Sequence, residues 1–317
     1  MAKSERLRML EALKCRVPES HPKSADITYD LIKLRSGYKG EKTVKYYLDF
    51  LPEKEYLIIH NRRLPSGIHH FQMDFLILTT RFVLIVESKN ILGELHFDSS
   101  FNQLIRKHNE QEEGFPDPVL QVKWHQKQLR GYIPKFPIET LAIMSNPSSI
   151  IKANPGDKEI TRIVIRSQSL LERIEEMDGK YQKELLDRKQ LRKLGKQLLK
   201  CHVPEDMDLI KYYGLQNSEI VPGVQCPNCQ HIPMIRHKKK WFCKKCNHFS
   251  KDAHEQAIQD YLLLINPTIT NQQFREFTHV SSVFTANRML TSTNLVSTAQ
   301  TRGEDTLFER GGFRIFA

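Results

Sequence analysis

Four of the six cysteines stand in two close pairs, and this spacing constrains the fold more than any other feature of the 317-residue chain. Cys226 and Cys229 form the first C-x2-C pair, and Cys243 and Cys246 form the second after thirteen intervening residues. Each pair can offer two thiolates to one tetrahedral Zn²⁺, and the spacing is typical of a zinc ribbon. A redox role for one pair is the alternative. Because so small a module cannot bury a core without its metal, we expect the Zn²⁺ to be structural.

The segment that holds the cysteine pairs is strongly basic. Residues 226–251 contain seven Lys and Arg and no Asp or Glu, in a chain whose formal net charge is +11. Cations beside aromatic rings can hold phosphates and stack on unpaired bases. We therefore predict a surface that binds nucleic acid, most simply DNA, formed by Arg236, Lys238, Lys239, Lys240, Trp241, Lys244 and Lys245. The alternatives are that the charge serves solubility and that Trp241 and Phe242 pack the small core.

Length and hydropathy exclude several classes of protein. A chain of 317 residues is long enough for about two domains with a sizeable core, so global disorder is not expected. The longest apolar runs, such as residues 82–86, fall far short of the roughly 20 residues that a membrane span requires. The amino terminus carries charge where a secretory signal needs an apolar core. We therefore expect a cytoplasmic protein with no membrane partner.

Changes in the apolar pattern along the chain predict four segments. Residues 1–35 resemble a polar, helical lead-in. Residues 36–211 alternate helical and strand-like patterns, which predicts an α/β domain with a helical extension. Residues 222–251 hold the zinc ribbon, and residues 252–317 predict a helical module with a Thr/Ser-rich tail at 291–301. Two short helical patterns in this module resemble a helix-turn-helix, although three packed helices without a DNA role would give the same pattern.

Charged residues occur at unusual positions in the strands of the α/β domain. Asp74 lies within the apolar pattern of residues 73–78, and Glu87 and Lys89 stand two apart at the end of the pattern of residues 82–89. The short link between these strands favours a hairpin, so two adjacent strands would each deliver a carboxylate. A salt-bridged strand end is the alternative, but paired acids on neighbouring strands favour a functional site.

This set of side chains suits phosphodiester hydrolysis. Asp74 and Glu87 could hold Mg²⁺ (or Mn²⁺) and leave positions open for water and a phosphate oxygen. Lys89 could orient or help to deprotonate the attacking water and offset charge on the phosphate. Glu41 falls on the apolar face of a predicted helix, three residues before Val44, and would add a partly buried acid. An ordinary first-turn Glu that interacts with the helix dipole is the alternative for Glu41.

Four short motifs follow one another in an order that resembles a known family. They are Gly37-Tyr38-Lys39-Gly40-Glu41, Asp74, Glu87-Ser88-Lys89 and the helical stretch from Pro118 to His125. Over about residues 37–133 they resemble the NERD (nuclease-related) domain, a branch of the PD-(D/E)xK nuclease superfamily. The resemblance implies a restriction-endonuclease-like α/β core. The zinc ribbon, in turn, resembles those appended to topoisomerases.

The resemblance also implies roles for individual residues. Asp74 and Glu87 would be metal ligands, Lys89 catalytic, Glu41 an accessory acid, and Gln121 a support for the site from the next helix. Phe75 departs from the family pattern, in which His often follows the motif Asp; since residue 75 faces away from Asp74 on a strand, we expect little effect on the chemistry. The implied function is a metal-dependent DNA nuclease. The alternative is a non-catalytic nucleic-acid-binding adaptor that retains the nuclease fold.

Overall fold

A computed structural model describes residues 1–133, 135–293, 295–298 and 307–310 of the chain. The helices are α1 (Glu5–Arg16), α2 (Ser24–Leu48), α3 (Pro118–Leu129), α4 (Lys158–Ile163), α5 (Leu170–Lys180), α6 (Arg188–Lys200), α7 (Leu209–Tyr213), α8 (His254–Leu264), α9 (Asn271–Thr278) and α10 (Val283–Thr291). The strands are β1 (Leu57–Ser66), β2 (His69–Leu78), β3 (Val83–Lys89), β4 (Glu94–Asp98), β5 (Gln103–His108), β6 (Gln111–Pro116), β7 (Ile138–Met144), β8 (Ile150–Ala153), β9 (Val164–Arg166), β10 (Ile235–His237), β11 (Lys240–Phe242), β12 (Phe249–Ser250), β13 (Thr268–Ile269), β14 (Leu295–Thr298) and β15 (Leu307–Arg310). The chain divides into two compact units, one formed by residues 34–206 with Met1 and the other by residues 2–33 with the residues from Met207 onward.

A mixed five-stranded sheet organises the first unit. Its order is β1-β2-β3-β7-β9, in which β1, β2 and β3 pair antiparallel while β7 pairs parallel with both β3 and β9. The predicted hairpin between β2 and β3 is confirmed, and in its turn the Thr79 hydroxyl donates to the Phe82 carbonyl at 2.8 Å. Parallel pairs need a long crossover connection, and α3 lies in the segment that connects β3 to β7. The fold of this unit is therefore mixed α/β.

The central strand β3 is buried on both faces. Residues 83–86 are fully buried, as expected for a strand that helices cover on each side. On one face the core includes Leu48 of α2 and Ile174 of α5, and on the other it includes Leu129 of α3 and Leu198 of α6. Because packing on both faces fixes β3, it also fixes the polar residues at the carboxyl end of this strand.

A second sheet in the same unit has no counterpart among the sequence-based predictions. Its order is β6-β5-β4-β8. Leu95, Phe97 and Leu104 of this sheet pack against Val122 of α3 and against neighbouring apolar residues. The strand β6 is almost wholly exposed. A strand that faces solvent on both sides has no apolar alternation, so its sequence carries little signal.

The second unit joins α1 to the carboxyl-terminal elements. Arg16 and Asp260 are both buried, and Arg16 Nε donates to Asp260 Oδ2 at 2.7 Å, which ties α1 to α8. Arg16 Nη1 also donates to the carbonyls of Val221 and Gly223 at 2.9 and 3.1 Å. These contacts hold the backbone that leads into the first cysteine pair.

The predicted lead-in of residues 1–35 therefore differs from the observed arrangement. Its first helix packs within the second unit through a buried ion pair, a long-range contact that hydropathy along the sequence does not reveal. The predicted boundary after residue 35 lies close to the observed division after Lys33, and both fall inside α2, which runs without a break from Ser24 to Leu48.

The remaining elements of the second unit are short. The strands form two three-stranded sheets, β10-β11-β12 and β13-β15-β14. The predicted helices in the carboxyl-terminal module are present as α8, α9 and α10, and their resemblance to a helix-turn-helix stays a prediction. The strand β14 occupies part of the predicted loose tail at 291–301, and residues 299–301 lie outside the described residues.

Among the described helices, none combines the length and the apolar character that a membrane crossing requires. The cytoplasmic location stays a prediction.

Candidate functional site

The strands β2 and β3 bring Asp74 and Glu87 to neighbouring positions. Phe75 pairs with Val86 at the end of the antiparallel ladder between β2 and β3, and Asp74 and Glu87 adjoin this last pair on the two strands. Asp74 Oδ2 accepts a hydrogen bond from the backbone N–H of Ser88 at 2.8 Å. Glu87 is only 4% exposed. Two carboxylates therefore share the carboxyl end of the central strand.

The electrostatics link a third carboxylate to this pair. Burial, together with the negative charges of Glu87 and Glu41, holds the pKa of Asp74 well above its usual range. The Ser88 N–H and the Lys89 ammonium act in the opposite direction but do not reverse the shift. Since like charges that share a half-buried site repel each other, a bound cation would relieve this repulsion.

The two oxygens of Glu87 have different surroundings. Oε1 accepts hydrogen bonds from Lys89 Nζ at 2.8 Å and from Gln121 Nε2 at 2.7 Å. Oε2 is buried and has no hydrogen-bond partner. A buried charged oxygen without a partner is costly, and a divalent cation that prefers oxygen ligands would satisfy it. The residues present therefore fit a metal of the Mg²⁺ class.

The helix α2 places Glu41 near the ends of these strands. Glu41 Oε2 lies 2.7 Å from His60 Nε2 of β1, and both side chains are about one quarter exposed. A Cβ at the preceding position, Gly40, would lie 2.6 Å from Ser145 Oγ and 2.8 Å from Asn90 Cβ. Glycine is thus required for α2 to approach the strand ends so closely.

Two histidines of this site have no assigned role in the sequence-based prediction. His60 lies on β1, and its pairing with Glu41 depends on a tertiary contact. His125 lies one helical turn after Gln121 on α3, is 7% exposed, and has a buried Nδ1 without a hydrogen-bond partner. Burial lowers the pKa of His125, which the nearby charge of Glu87 partly offsets. The spacing of four residues between Gln121 and His125 was the available signal for His125.

The backbone is irregular next to Asp74. Asn61, on the neighbouring strand β1, has a φ of 52°, in the left-handed region that non-glycine residues rarely adopt. Met73 and Leu76 pack in the same core cluster, so the regular alternation of strand faces does not continue through Asp74. The side chains of Gln72 and Asn61 are joined by a hydrogen bond of 2.7 Å that supports this irregular segment. Such local irregularity is common where a strand presents functional groups.

The four paired cysteines converge in the second unit. The Sγ atoms of Cys226 and Cys246 are 3.6 Å apart, and those of Cys229 and Cys243 are 3.5 Å apart. All four sulfurs lie within 4.8 Å of one another, and among the described residues this is the one group of three or more Cys, His, Asp or Glu ligands so closely gathered. The cluster could bind a zinc ion, as predicted.

Each cysteine pair adopts the same tight turn. The N–H of Gln230 donates to the Cys226 carbonyl, and the N–H of Asn247 donates to the Cys243 carbonyl, both at 2.9 Å. Gln230 and Asn247 have φ values of 60° and 57°. This repeated turn points both thiols of a pair toward one centre. The Asn228 amide donates to Cys246 Sγ and lowers the pKa of Cys246 to about 6, while burial and the neighbouring thiols raise the pKa of Cys229.

The small sheet β10-β11-β12 beside the cysteine cluster, called the ribbon sheet below, has an inner and an outer face, and Trp241 lies on the inner one. Trp241 is 1% exposed, and its Nε1 donates to His254 Nδ1 at 3.2 Å. Burial lowers the pKa of His254 to about 4, so this imidazole is a neutral acceptor. The prediction that Trp241 contacts nucleic acid is therefore wrong: the ring is part of the core that the ribbon shares with α8, α9 and α10.

The outer face of the ribbon sheet carries other rings. Ile235 pairs with Phe242 and Phe242 pairs with Phe249, so the three side chains lie side by side across the strands. Ile235 and Phe249 are 38% and 48% exposed. The rings of Phe242 and Phe249 lie 4.8 Å apart. This outer face, rather than Trp241, offers aromatic surface to solvent.

The predicted lysines of this segment differ in burial from Arg236. Lys238, Lys239, Lys240, Lys244 and Lys245 are all exposed. The first two form the hairpin turn between β10 and β11. The guanidinium of Arg236 is half-buried and lies 5.1 Å from the centre of the Trp241 ring. Burial lowers the pKa of Arg236. It therefore contributes to the core more than to the exposed charge.

Comparison with known proteins finds one family model, and its range covers the first of these two sites. Residues 36–145 match the model of the family described as the nuclease-related domain (NERD). No curated protein and no solved structure matches the chain. The matched range contains Glu41, Asp74, Glu87, Lys89 and Gln121, which confirms the resemblance to this domain and extends it to the end of β7. A nuclease-related function follows for the first unit.

Proposed function

We propose that this protein is a metal-dependent nuclease that hydrolyses phosphodiester bonds in DNA, with a PD-(D/E)xK-type active site on the mixed sheet. The observation that carries the proposal is the buried Oε2 of Glu87, which has no hydrogen-bond partner. It lies beside Asp74, and burial and neighbouring carboxylates raise the pKa of Asp74. Asp74 and Glu87 would hold Mg²⁺ or Mn²⁺. When bound, the metal would stabilise charge on the phosphate and lower the pKa of the attacking water.

The other residues of the site would position these groups. Lys89 Nζ, held at 2.8 Å from Glu87 Oε1, carries a positive charge that can orient the water and offset charge on the scissile phosphate. Gln121 binds the same oxygen of Glu87 and so leaves Oε2 for the metal. Glu41 adds negative charge near Asp74 and is itself held by His60. We assign Glu41 the role of an accessory acid.

The zinc ribbon would assist by binding nucleic acid. Structural Zn²⁺ on the four cysteines would hold the ribbon sheet, the exposed lysines would contact phosphates, and the outer face with Phe242 and Phe249 would contact bases. Phosphate contacts fix position on the nucleic acid but do not read its sequence. We therefore expect the ribbon to add affinity without sequence preference.

Replacing Lys238, Lys239 and Lys240 together by Ala should weaken DNA binding and flatten its salt dependence. Each phosphate contact that is lost reduces the slope of log K against log salt by roughly 0.9 for duplex DNA or 0.7 for single strands. Fluorescence anisotropy of labelled DNA at several salt concentrations measures this slope.

A matched control changes the charge by the same amount on α6, where Lys189, Lys193 and Lys196 are exposed. Their triple Ala variant should leave most of the slope unchanged. Equal effects of the two triple variants, or an unchanged slope in the ribbon variant, would contradict a phosphate-binding role for the ribbon.

A second function has one observation in its favour. Lys89 and Glu87 form an ion pair whose Glu side chain is only 6% exposed, and such a pair can be purely structural. The protein would then be a non-catalytic nucleic-acid-binding adaptor that retains the nuclease fold. The two functions differ in whether a divalent metal binds at Asp74 and Glu87 and in whether any substrate is cut.

A panel of substrates tests the proposed activity directly. Zinc-loaded full-length protein should cut at least one of labelled linear, circular or branched DNA when Mg²⁺ or Mn²⁺ is added, and should cut none when these metals are omitted. A single-stranded RNA of matched sequence serves as the comparison for sugar preference. Binding to the same substrates without any cleavage, across both metals, would favour the adaptor.

A further inference from the structure

Trp124 of α3 is 58% exposed, although it lies on the helix that supports the candidate active site. Large aromatic side chains are mostly buried in proteins, so an exposed Trp calls for an explanation. The ammonium of Lys127 lies 5.0 Å from the centre of the Trp124 ring. Even with this cation beside it, most of the ring remains open to solvent. The pair forms an aromatic platform with a positive charge over the ring.

The helix places this platform next to the site. Trp124 follows Gln121 by three residues, and side chains three apart on a helix have Cβ atoms about 5–6 Å apart. Gln121 itself donates to Glu87 Oε1 at 2.7 Å. One strand of a duplex advances about 3.4 Å per nucleotide. The Trp124 ring therefore lies within about two nucleotide steps of Gln121, the residue that binds Glu87.

We propose that Trp124 stacks on an unpaired base of the nucleic acid, next to the phosphate that the site would cut, while Lys127 contacts a neighbouring phosphate. This inference rests on the proposed nuclease function and specifies its substrate as single-stranded or locally unpaired nucleic acid. A paired base inside a duplex has both faces covered by its neighbours, so it cannot use such a platform. The ammonium of Lys127 beside the ring matches the negative charge of a nucleic acid backbone.

Tryptophan fluorescence tests the proposal, because the chain has two Trp and the second, Trp241, is 1% exposed. The measurement uses full-length, zinc-loaded Asp74→Asn protein without added Mg²⁺, so that the oligonucleotide is not cut. A fifteen-nucleotide oligo(dT) should quench the emission, and a blunt duplex of the same length should not. When Trp124→Tyr is added to the Asp74→Asn protein, the quenching should disappear while most of the affinity for oligo(dT) is retained.

The added change Trp124→Ala should weaken oligo(dT) binding roughly 5- to 150-fold, the range expected for one lost stacking contact. Its affinity for the duplex should not change. The control is Phe101→Ala, which removes an aromatic ring that is 78% exposed in the turn between β4 and β5 and should not alter binding. Because Trp124 is exposed, its removal should leave the thermal midpoint of unfolding unchanged.

Three results would overturn the proposal. They are unchanged oligo(dT) binding in the Trp124→Ala variant, an equal loss of duplex and single-strand binding, and quenching by the duplex as strong as by oligo(dT). Unchanged oligo(dT) binding in the Trp124→Ala variant, together with normal duplex binding, would favour a protein as the partner that contacts Trp124. Failure of the stacking proposal can be told apart from failure of the proposed nuclease. The protein can cut DNA without a base stacked on Trp124, and a base can stack on Trp124 without being cut.

Discussion

The variant Asp74→Asn is expected to lose metal-dependent cleavage by on the order of 10³-fold or more while it keeps most of its affinity for DNA. The change removes one of two carboxylates that would hold the metal, so the loss falls on turnover rather than on the binding surface. The stability of the folded protein should not decrease. Burial and like charges raise the pKa of Asp74, so its charged form is the disfavoured one, and a neutral amide of the same shape removes that cost. Cleavage rates and the thermal midpoint of unfolding, measured on the same preparation, check both parts.

Asp49→Asn is the matched control, because it makes the same chemical change at a carboxylate that is 58% exposed on the surface. It should retain wild-type cleavage. Lys89→Ala should resemble Asp74→Asn in turnover. Cleavage by the Asp74→Asn variant would show that the reaction does not need Asp74. Variants that are destabilised, in a protein whose wild type does not cut, would favour the adaptor.

Removal of zinc is expected to unfold the ribbon. Binding of structural Zn²⁺ contributes roughly 10–16 kcal/mol in small zinc modules at neutral pH, which exceeds the stability of most domains. Cys226, Cys243 and Trp241 belong to the same buried cluster as residues of α8, α9 and α10. Loss of the metal should therefore loosen this core, and the emission of Trp241 should shift to longer wavelength. Elemental analysis before and after treatment with a chelator, combined with hydrogen exchange over residues 224–250, measures the effect.

Cys243→Ser should reproduce the loss of zinc, because Cys243 is fully buried and supplies one of four sulfurs. Cys201→Ser is the control, since this thiol is exposed and lies outside the cluster. Freshly purified, reduced protein that contains no zinc, or a ribbon that keeps its hydrogen-exchange protection without metal, would contradict a structural zinc site.

Strong local patterns made the centre of the fold predictable from the sequence. The strands β2 and β3 are runs of buried apolar residues joined by a short turn, and Glu87 and Lys89 interrupt the apolar run where β3 ends. Since the register of a hairpin follows from its turn, the hairpin pattern alone predicts that Asp74 and Glu87 lie close together. The cysteine cluster was predictable because two C-x2-C pairs at this spacing are typical of one tetrahedral metal site.

Features that depend on long-range contacts were not predictable in this way. Trp241 and Phe242 are consecutive on β11 and face opposite sides of the ribbon, but which side meets α8 depends on packing that no local pattern encodes. His60 joins the site only because α2 brings Glu41 to it. The ion pair of Arg16 and Asp260 joins residues 244 positions apart in the sequence. In each case a tertiary contact decides the role of the residue.

Mn²⁺ binding, followed by electron paramagnetic resonance on zinc-loaded protein, tests the central claim that Asp74 and Glu87 form a divalent-metal site. The predicted result is one bound Mn²⁺ per chain in the wild type and in Lys89→Ala, and none at this site in Asp74→Asn or Glu87→Gln, with all four proteins folded. A wild type that binds no Mn²⁺, or binding that survives loss of both carboxylates, would contradict the account.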